Sequence, residues 1–181
     1  MDYKTLLALL MLLPGLALAE SFLGFHYLDS VSDIEKQYPG YSLTELNVPT
    51  TGKNQRIYYL RGVPVSGRVF LEFIDTRTEL KENLANAEKH EQKIVSKILV
   101  PHLKNQLAEP PKNNFLLYKI KWQPEKGMPL KSLSEKFGTP NKRHISQSFV
   151  TILEWSQGVR AALSPDETQV SSVEYLLQAG E

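Results

Sequence analysis

Two short stretches of this chain repeat one spacing of apolar residues. Val31, Ile34 and Tyr38 fall at i, i+3 and i+7 in the first, and Leu130, Leu133 and Phe137 do the same in the second. That spacing places three side chains on one face of a short helix. Ser30 stands where an N-cap belongs in the first helix, and Pro129 suits position N1 of the second. Pro39-Gly40 and Gly138-Thr139-Pro140 then stop the two helices.

Strand-like runs follow each helix. In the first half they are Gln55 to Arg61, Gly67 to Asp75 and Phe115 to Gln123. In the second they are Ser148 to Trp155, Gly158 to Ser164 and Gln169 to Gln178. The middle run of each half opens on a glycine with an aspartate eight residues later, Gly67 to Asp75 and Gly158 to Asp166. Each half therefore reads helix–strand–strand–strand, and the matching order points to a duplication. The first half also carries a long helical insertion, 76–107. Leu80, Leu84, Ala87, Ile94, Ile98 and Leu99 form its apolar stripe, and Pro101 is expected to end or kink it near Val100. Pro110-Pro111 leads stiffly into the next strand.

Alternation assigns faces to the strands. Val69, Leu71 and Phe73 point one way, and Arg68, Phe70 and Glu72 the other. Leu116, Tyr118, Ile120 and Trp122 alternate with Lys119 and Lys121, and Val173, Tyr175 and Leu177 with Ser172 and Glu174. One face is apolar and takes the helices; the other is polar, charged and aromatic. The expected fold class is α+β: two small helix-plus-antiparallel-sheet units in tandem, 20–125 and 126–181, with the insertion in the first. Ile34, Leu133, Phe137, Trp155, Val173 and Tyr175 are the expected core.

The first nineteen residues change the picture from fold to location. A short charged start precedes the uncharged apolar run Leu6 to Leu13, Pro14-Gly15 breaks it, and Ala17-Leu18-Ala19 is the small-x-small pattern of a cleavage site. These features predict a signal peptide cut after Ala19. The apolar run is shorter than the roughly 20 residues a membrane span needs. Glu20 stands where a lipidated cysteine would be, and the chain has no cysteine at all, so neither a lipid anchor nor disulfides are expected. An exported chain without disulfides suggests a bacterial periplasmic or secreted protein.

Charge excludes more than it suggests. Lys and Arg number 21 against 20 Asp and Glu, well mixed along the chain. That argues against nucleic acid, which calls for a basic stripe. The one compact basic cluster, Lys142-Arg143-His144, reads as a solvated turn between helix and strand. His26, His90, His102 and His144 lack metal-ligand spacing. Neither a Gly-x-Ser-x-Gly elbow nor a phosphate-binding glycine loop occurs, and carboxylate pairs such as Glu79 with Glu82 or Asp166 with Glu167 read as solvated surface. No catalytic residue, metal or cofactor is expected.

A short helix ending in Gly-x-Pro, a hairpin with an aspartate turn and a final strand resemble the SmpA/OmlA (BamE-like) outer-membrane assembly family. They also resemble the tandem form of that fold in the beta-lactamase inhibitor proteins. The likeness is carried by Leu130, Leu133, Phe137-Gly138-Thr139-Pro140, Leu153-Glu154-Trp155, Asp166 and Val170 to Tyr175. It covers the second half well and the first weakly, and implies a binding role.

Adjacent Tyr58 and Tyr59 cannot both face the core, and Phe70 lies opposite Val69 and Leu71. Aromatic and arginine residues on an exposed sheet face anchor protein interfaces. The expectation is a non-enzymatic, exported protein-binding module whose partner is another envelope or secreted protein. Its contact residues are expected to be Arg68, Phe70, Glu72, Lys119, Lys121, Arg160 and Glu174. The competing expectation is a small-ligand carrier or enzyme that uses the cleft between the two units.

Overall fold

A computed structural model describes residues 22–48, 54–89 and 94–177, with the side chains of 94–96 left out. The expected signal peptide, His90 and Gln178 lie outside the described residues. In chain order the elements are α1 (Val31–Gln37), β1 (Ser42–Leu46), β2 (Gln55–Arg61), β3 (Arg68–Asp75), α2 (Arg77–Glu88), α3 (Ile94–Ala108), β4 (Phe115–Gln123), β5 (Met128–Pro129), α4 (Leu130–Phe137), β6 (Lys142–Ile145), β7 (Thr151–Glu154), β8 (Val159–Leu163) and β9 (Gln169–Leu176). The class is α+β. All nine strands join one antiparallel sheet in the order β1-β2-β3-β4-β9-β8-β7-β6, with β5 beside β9.

The caps are those the sequence indicates, to within one residue. The Ser30 hydroxyl accepts the Asp33 N–H at 3.0 Å, and the Asp33 carboxylate accepts the Ser30 N–H at 3.1 Å. This reciprocal box satisfies two donors that the first turn otherwise leaves open. Pro129 is the N-cap of α4 rather than its first residue. Gly138 ends α4 at φ 78°, and its carbonyl accepts the Trp155 indole N–H at 2.8 Å. The helix end is thereby tied to the residue after β7.

Both short helices pack on the same face of the sheet. Val31 and Ile34 of α1 meet Tyr58, Leu60, Val69, Leu71, Phe73, Leu117 and Ile120. Leu133 of α4 meets Leu153, Trp155, Val159, Ala161, Val170 and Val173. Trp122 and Tyr175 pack against both clusters and fill the joint at β4–β9. Of the expected core, Ile34, Leu133, Trp155 and Val173 are buried, whereas Phe137 and Tyr175 are only half-buried. Those two rings lie against each other at the joint, 6.3 Å between centroids.

Four expectations need correction. First, each helix is followed by a strand that the pattern does not show. β1 and β6 are the sheet edges, and every residue of β6 is exposed, so no apolar alternation marks it. Lys142-Arg143-His144 is thus edge strand, not turn. Lysines and arginines on an edge discourage stray pairing.

Second, Ser148 to Val150 belong to the β6–β7 turn, and β7 begins at Thr151. Third, the insertion forms two helices, α2 and α3, instead of one. Pro101 sits inside α3, which continues past the buried Leu103 to Ala108. Ala87 and Leu103 are buried, but Ile98 and Leu99 of the expected stripe are exposed. Fourth, a bulge in β4 breaks the alternation. Glu72 pairs with Lys119 and Phe73 with Leu117, so Tyr118 is the extra residue. Phe115 and Leu117 face the helices before it, and Ile120 after it; Tyr118 turns to the other side.

The insertion leaves and returns at one point. The Thr76 N–H and hydroxyl both donate to the Asn114 carbonyl, at 3.1 and 3.2 Å. Beside them the Asp75 carboxylate accepts from the Arg77 Nε at 2.8 Å, from the Arg77 backbone at 3.1 Å and from Arg56 at 3.2 Å. Both guanidiniums also lie over the Phe115 ring. Hydrogen bonding from Arg77 holds the Asp75 carboxyl down at about 2.

Candidate functional site: the open face of the sheet

The face away from α1 and α4 is crossed by one continuous row of register partners. It runs Thr44–Tyr59–Phe70–Lys121–Glu174–Arg160–Glu154–Lys142 through eight strands. Strand register alone aligns these side chains, because residues directly opposite in adjacent strands share a face.

The row changes chemistry along its length. At the β2–β3 end the Tyr59 and Phe70 rings meet at 5.6 Å, and the Arg61 guanidinium lies 5.2 Å from the Tyr59 ring centre. From β4 across β9 and β8 to β7 the groups are charged and paired: Lys121 with Glu174 at 3.3 Å and Arg160 with Glu154 at 3.1 Å. A neighbouring pair joins Lys119 to Glu72 at 2.9 Å. The bulge brings the Tyr118 hydroxyl to Glu72, to which it donates at 2.9 Å, while Gln55 donates to Tyr118 at 3.2 Å. Burial, with the Glu72 carboxylate beside it, pushes the Tyr118 phenol above its ordinary range.

All seven residues nominated from the sequence lie on this face. Glu72, Lys119, Lys121, Arg160 and Glu174 are engaged in cross-strand ion pairs. Phe70 is half-buried against Tyr59, and Arg68 is exposed at the start of β3. Sequence reasoning did not nominate Tyr59, Arg61, Tyr118 or Glu154. The Tyr58-Tyr59 doublet was the available signal for the first; the others depend on register and on the bulge. Ile57, Ile74 and Leu116 add apolar surface to the same face, Ile74 being exposed.

A shallow depression of about 310 Å³ lies on the same face over the second half. Ile152, Ala162 and Ser172 form its floor, with Lys121, Glu174, Arg160 and Glu154 on one side and Ser146, Ser148 and Val150 of the β6–β7 turn on the other. On the opposite face, the joint between the halves is packed by Trp122, Tyr175 and Phe22. Among the described residues no group of three or more His, Asp or Glu is placed to hold a metal ion, and no helix is long and apolar enough to cross a membrane.

The chain matches no protein-family model, no curated protein and no solved structure.

Proposed function

We propose that this chain is an exported, non-enzymatic protein-binding module that docks another envelope or secreted protein on the open face of its sheet. The observation that carries the reading is the cross-strand row from Tyr59 to Lys142. It provides a continuous surface, aromatic at one end, ion-paired from Lys121 to Glu154, and ending on Lys142 of the edge strand. Exposed aromatics and arginines with a polar surround are the composition of interface anchors. The leader ending at Ala19 and the lack of cysteine support export to an envelope compartment.

The same proposal includes a tandem architecture, 20–125 and 126–181. The sheet order supports it: β1-β2-β3-β4 in one half is mirrored by β6-β7-β8-β9 in the other, each preceded by a short helix, with β4 and β9 adjacent. This arrangement is compatible with the SmpA/OmlA (BamE-like) resemblance in its tandem form.

The test begins with affinity capture by the mature protein from an envelope extract of its host, with mass spectrometry. Binding of Phe70→Ala and Arg68→Ala to the captured partner follows, with folding checked by circular dichroism. Loss of about 2 kcal/mol or more at Phe70 is expected of a central anchor. Folded variants that bind like wild type would remove the open face as the docking surface.

The depression over β6–β9 favours a second reading, a small-ligand carrier or enzyme, because hydroxyl and charged groups converge there on an apolar floor. Replacing Ser172 by a bulky residue would abolish ligand uptake on that reading, whereas Phe70→Ala, outside the depression, would leave uptake unchanged.

A further inference from the structure

The charges of the open face divide into two kinds. Glu72, Glu174 and Glu154 each meet a cation of the same face, as described above. Arg61 and Arg68 differ. They stand one position beyond the Leu60–Val69 pair, on β2 and β3 respectively, and so flank each other across the hairpin. Neither has a carboxylate within ion-pair distance among the described residues. Like charges on facing strand positions cost stability, and an opposite charge between them reverses the sign.

The platform beneath the two arginines is apolar and rigid. Tyr59 and Phe70 follow them on the same face, with Arg61 lying over the Tyr59 ring. The β2–β3 turn is fastened by the Trp122 indole N–H, which donates to the Ser66 carbonyl at 2.9 Å, and by Val63 and Val65 packing on the core. Gly67, at φ 100°, lies so close to the Gln123 carbonyl that a Cβ would stand 2.1 Å from it. A site held this firmly loses little conformational freedom on binding.

We propose that Arg61 and Arg68 form a carboxylate-recognition site above the Tyr59–Phe70 pair, and that the surface docked there is an acidic protein segment with an apolar residue beside its carboxylate. This rests on the docking role proposed above. The guanidinium forks supply parallel N–H donors to the carboxylate oxygens. The two rings receive the neighbouring apolar side chain. Because the glutamates of the face are already neutralised, nothing there repels an incoming acid.

The experiment uses the mature chain and poly-L-glutamate as the probe, with poly-L-lysine and inorganic phosphate as comparisons, titrated at low salt. The variants are Arg61→Gln, Arg68→Gln, the double variant and Arg68→Lys, with Lys81→Gln on α2 as the control for net charge. Each Arg→Gln change is expected to weaken poly-L-glutamate binding about ten-fold, the scale of one charge-assisted hydrogen bond. Arg68→Lys should recover only part of it, and Lys81→Gln should change nothing. The proposal is overturned if wild type does not bind poly-L-glutamate, if the double variant binds as wild type does, or if Lys81→Gln weakens binding equally. It is also overturned if phosphate displaces the polymer at equal carboxylate and phosphate concentrations, which would make the site a general anion site. If Phe70→Ala loses the captured partner while the double arginine variant keeps it, the docking face stands and acidic recognition falls. If neither variant loses it, the docking role itself falls.

Discussion

Phe22 stacks on Tyr175 with ring centroids 4.7 Å apart and planes 20° apart. Tyr175 packs against both hydrophobic clusters, and Phe22 also reaches Trp122 at 5.8 Å. Three aromatic residues from distant parts of the chain thus fill the joint between the halves. Burial pushes the Tyr175 phenol up to about 12.

That joint should make the halves unfold together. The chain has two tryptophans, Trp122 at the joint and Trp155 in the second cluster. Within each single-tryptophan variant, Trp122→Phe and Trp155→Phe, tryptophan fluorescence and far-UV circular dichroism should report one coincident denaturant midpoint. Adding Phe22→Ala should lower that midpoint for both reporters, by the burial lost plus about 0.5–1.5 kcal/mol of ring pairing. Separated midpoints would show two independent cores.

Asp75 should make stability depend on pH in the acid range. Its carboxyl falls from 3.8 when unfolded to about 2 when folded. A depressed folded value stabilises above the unfolded value and is lost as pH falls through the folded one. The contribution should be about 2 kcal/mol at neutral pH and fade between about pH 4 and pH 2. Comparing Asp75→Asn with wild type by urea unfolding across this window tests it. The variant should be less stable at neutral pH and converge on wild type near pH 2.

Phe149 is 91 % exposed and adopts φ 58°, in a turn closed by Ser146 N–H to Val150 O and Phe149 N–H to Ser146 O. A bulky residue is strained in that left-handed conformation, whereas asparagine adopts it readily. Phe149→Asn should therefore raise stability by up to about 1 kcal/mol, read as a higher thermal midpoint. A drop would mean that the ring makes a stabilising contact its exposure does not reveal.

Trp155 combines burial with a hydrogen bond to the end of α4. Trp155→Ala should cost about 3–5 kcal/mol. Trp155→Phe should cost less, because it keeps most of the apolar volume and loses only the indole N–H. Equal losses for both variants would assign the main role to the hydrogen bond.

Some of this was readable from residue order alone. Val31 and Ile34 on one face, Ser30 ahead of them as the N-cap, and Leu130 to Phe137 before a glycine specified α1 and α4. The reason is that caps and helical periodicity are local. Alternation in Val69, Leu71 and Phe73 fixed the faces of β3, and with them the side on which Arg68, Phe70 and Glu72 stand. These are statements about residues within one element, where the chain carries its own signal.

The rest needed tertiary pairing. β1 and β6 are edge strands with little or no buried alternation, so only their hydrogen-bonded neighbours define them. The bulge that turns Tyr118 toward Glu72 arises from a register shift between β3 and β4, which no spacing within β4 reveals. Lys121 meets Glu174 only because β4 lies beside β9, a contact between strands far apart in the sequence. Hydrophobic spacing states which side of a strand is buried. The choice of neighbouring strand is set by competition among non-local pairings for one core, and that choice placed Arg61 beside Arg68 and left both without a carboxylate among the described residues.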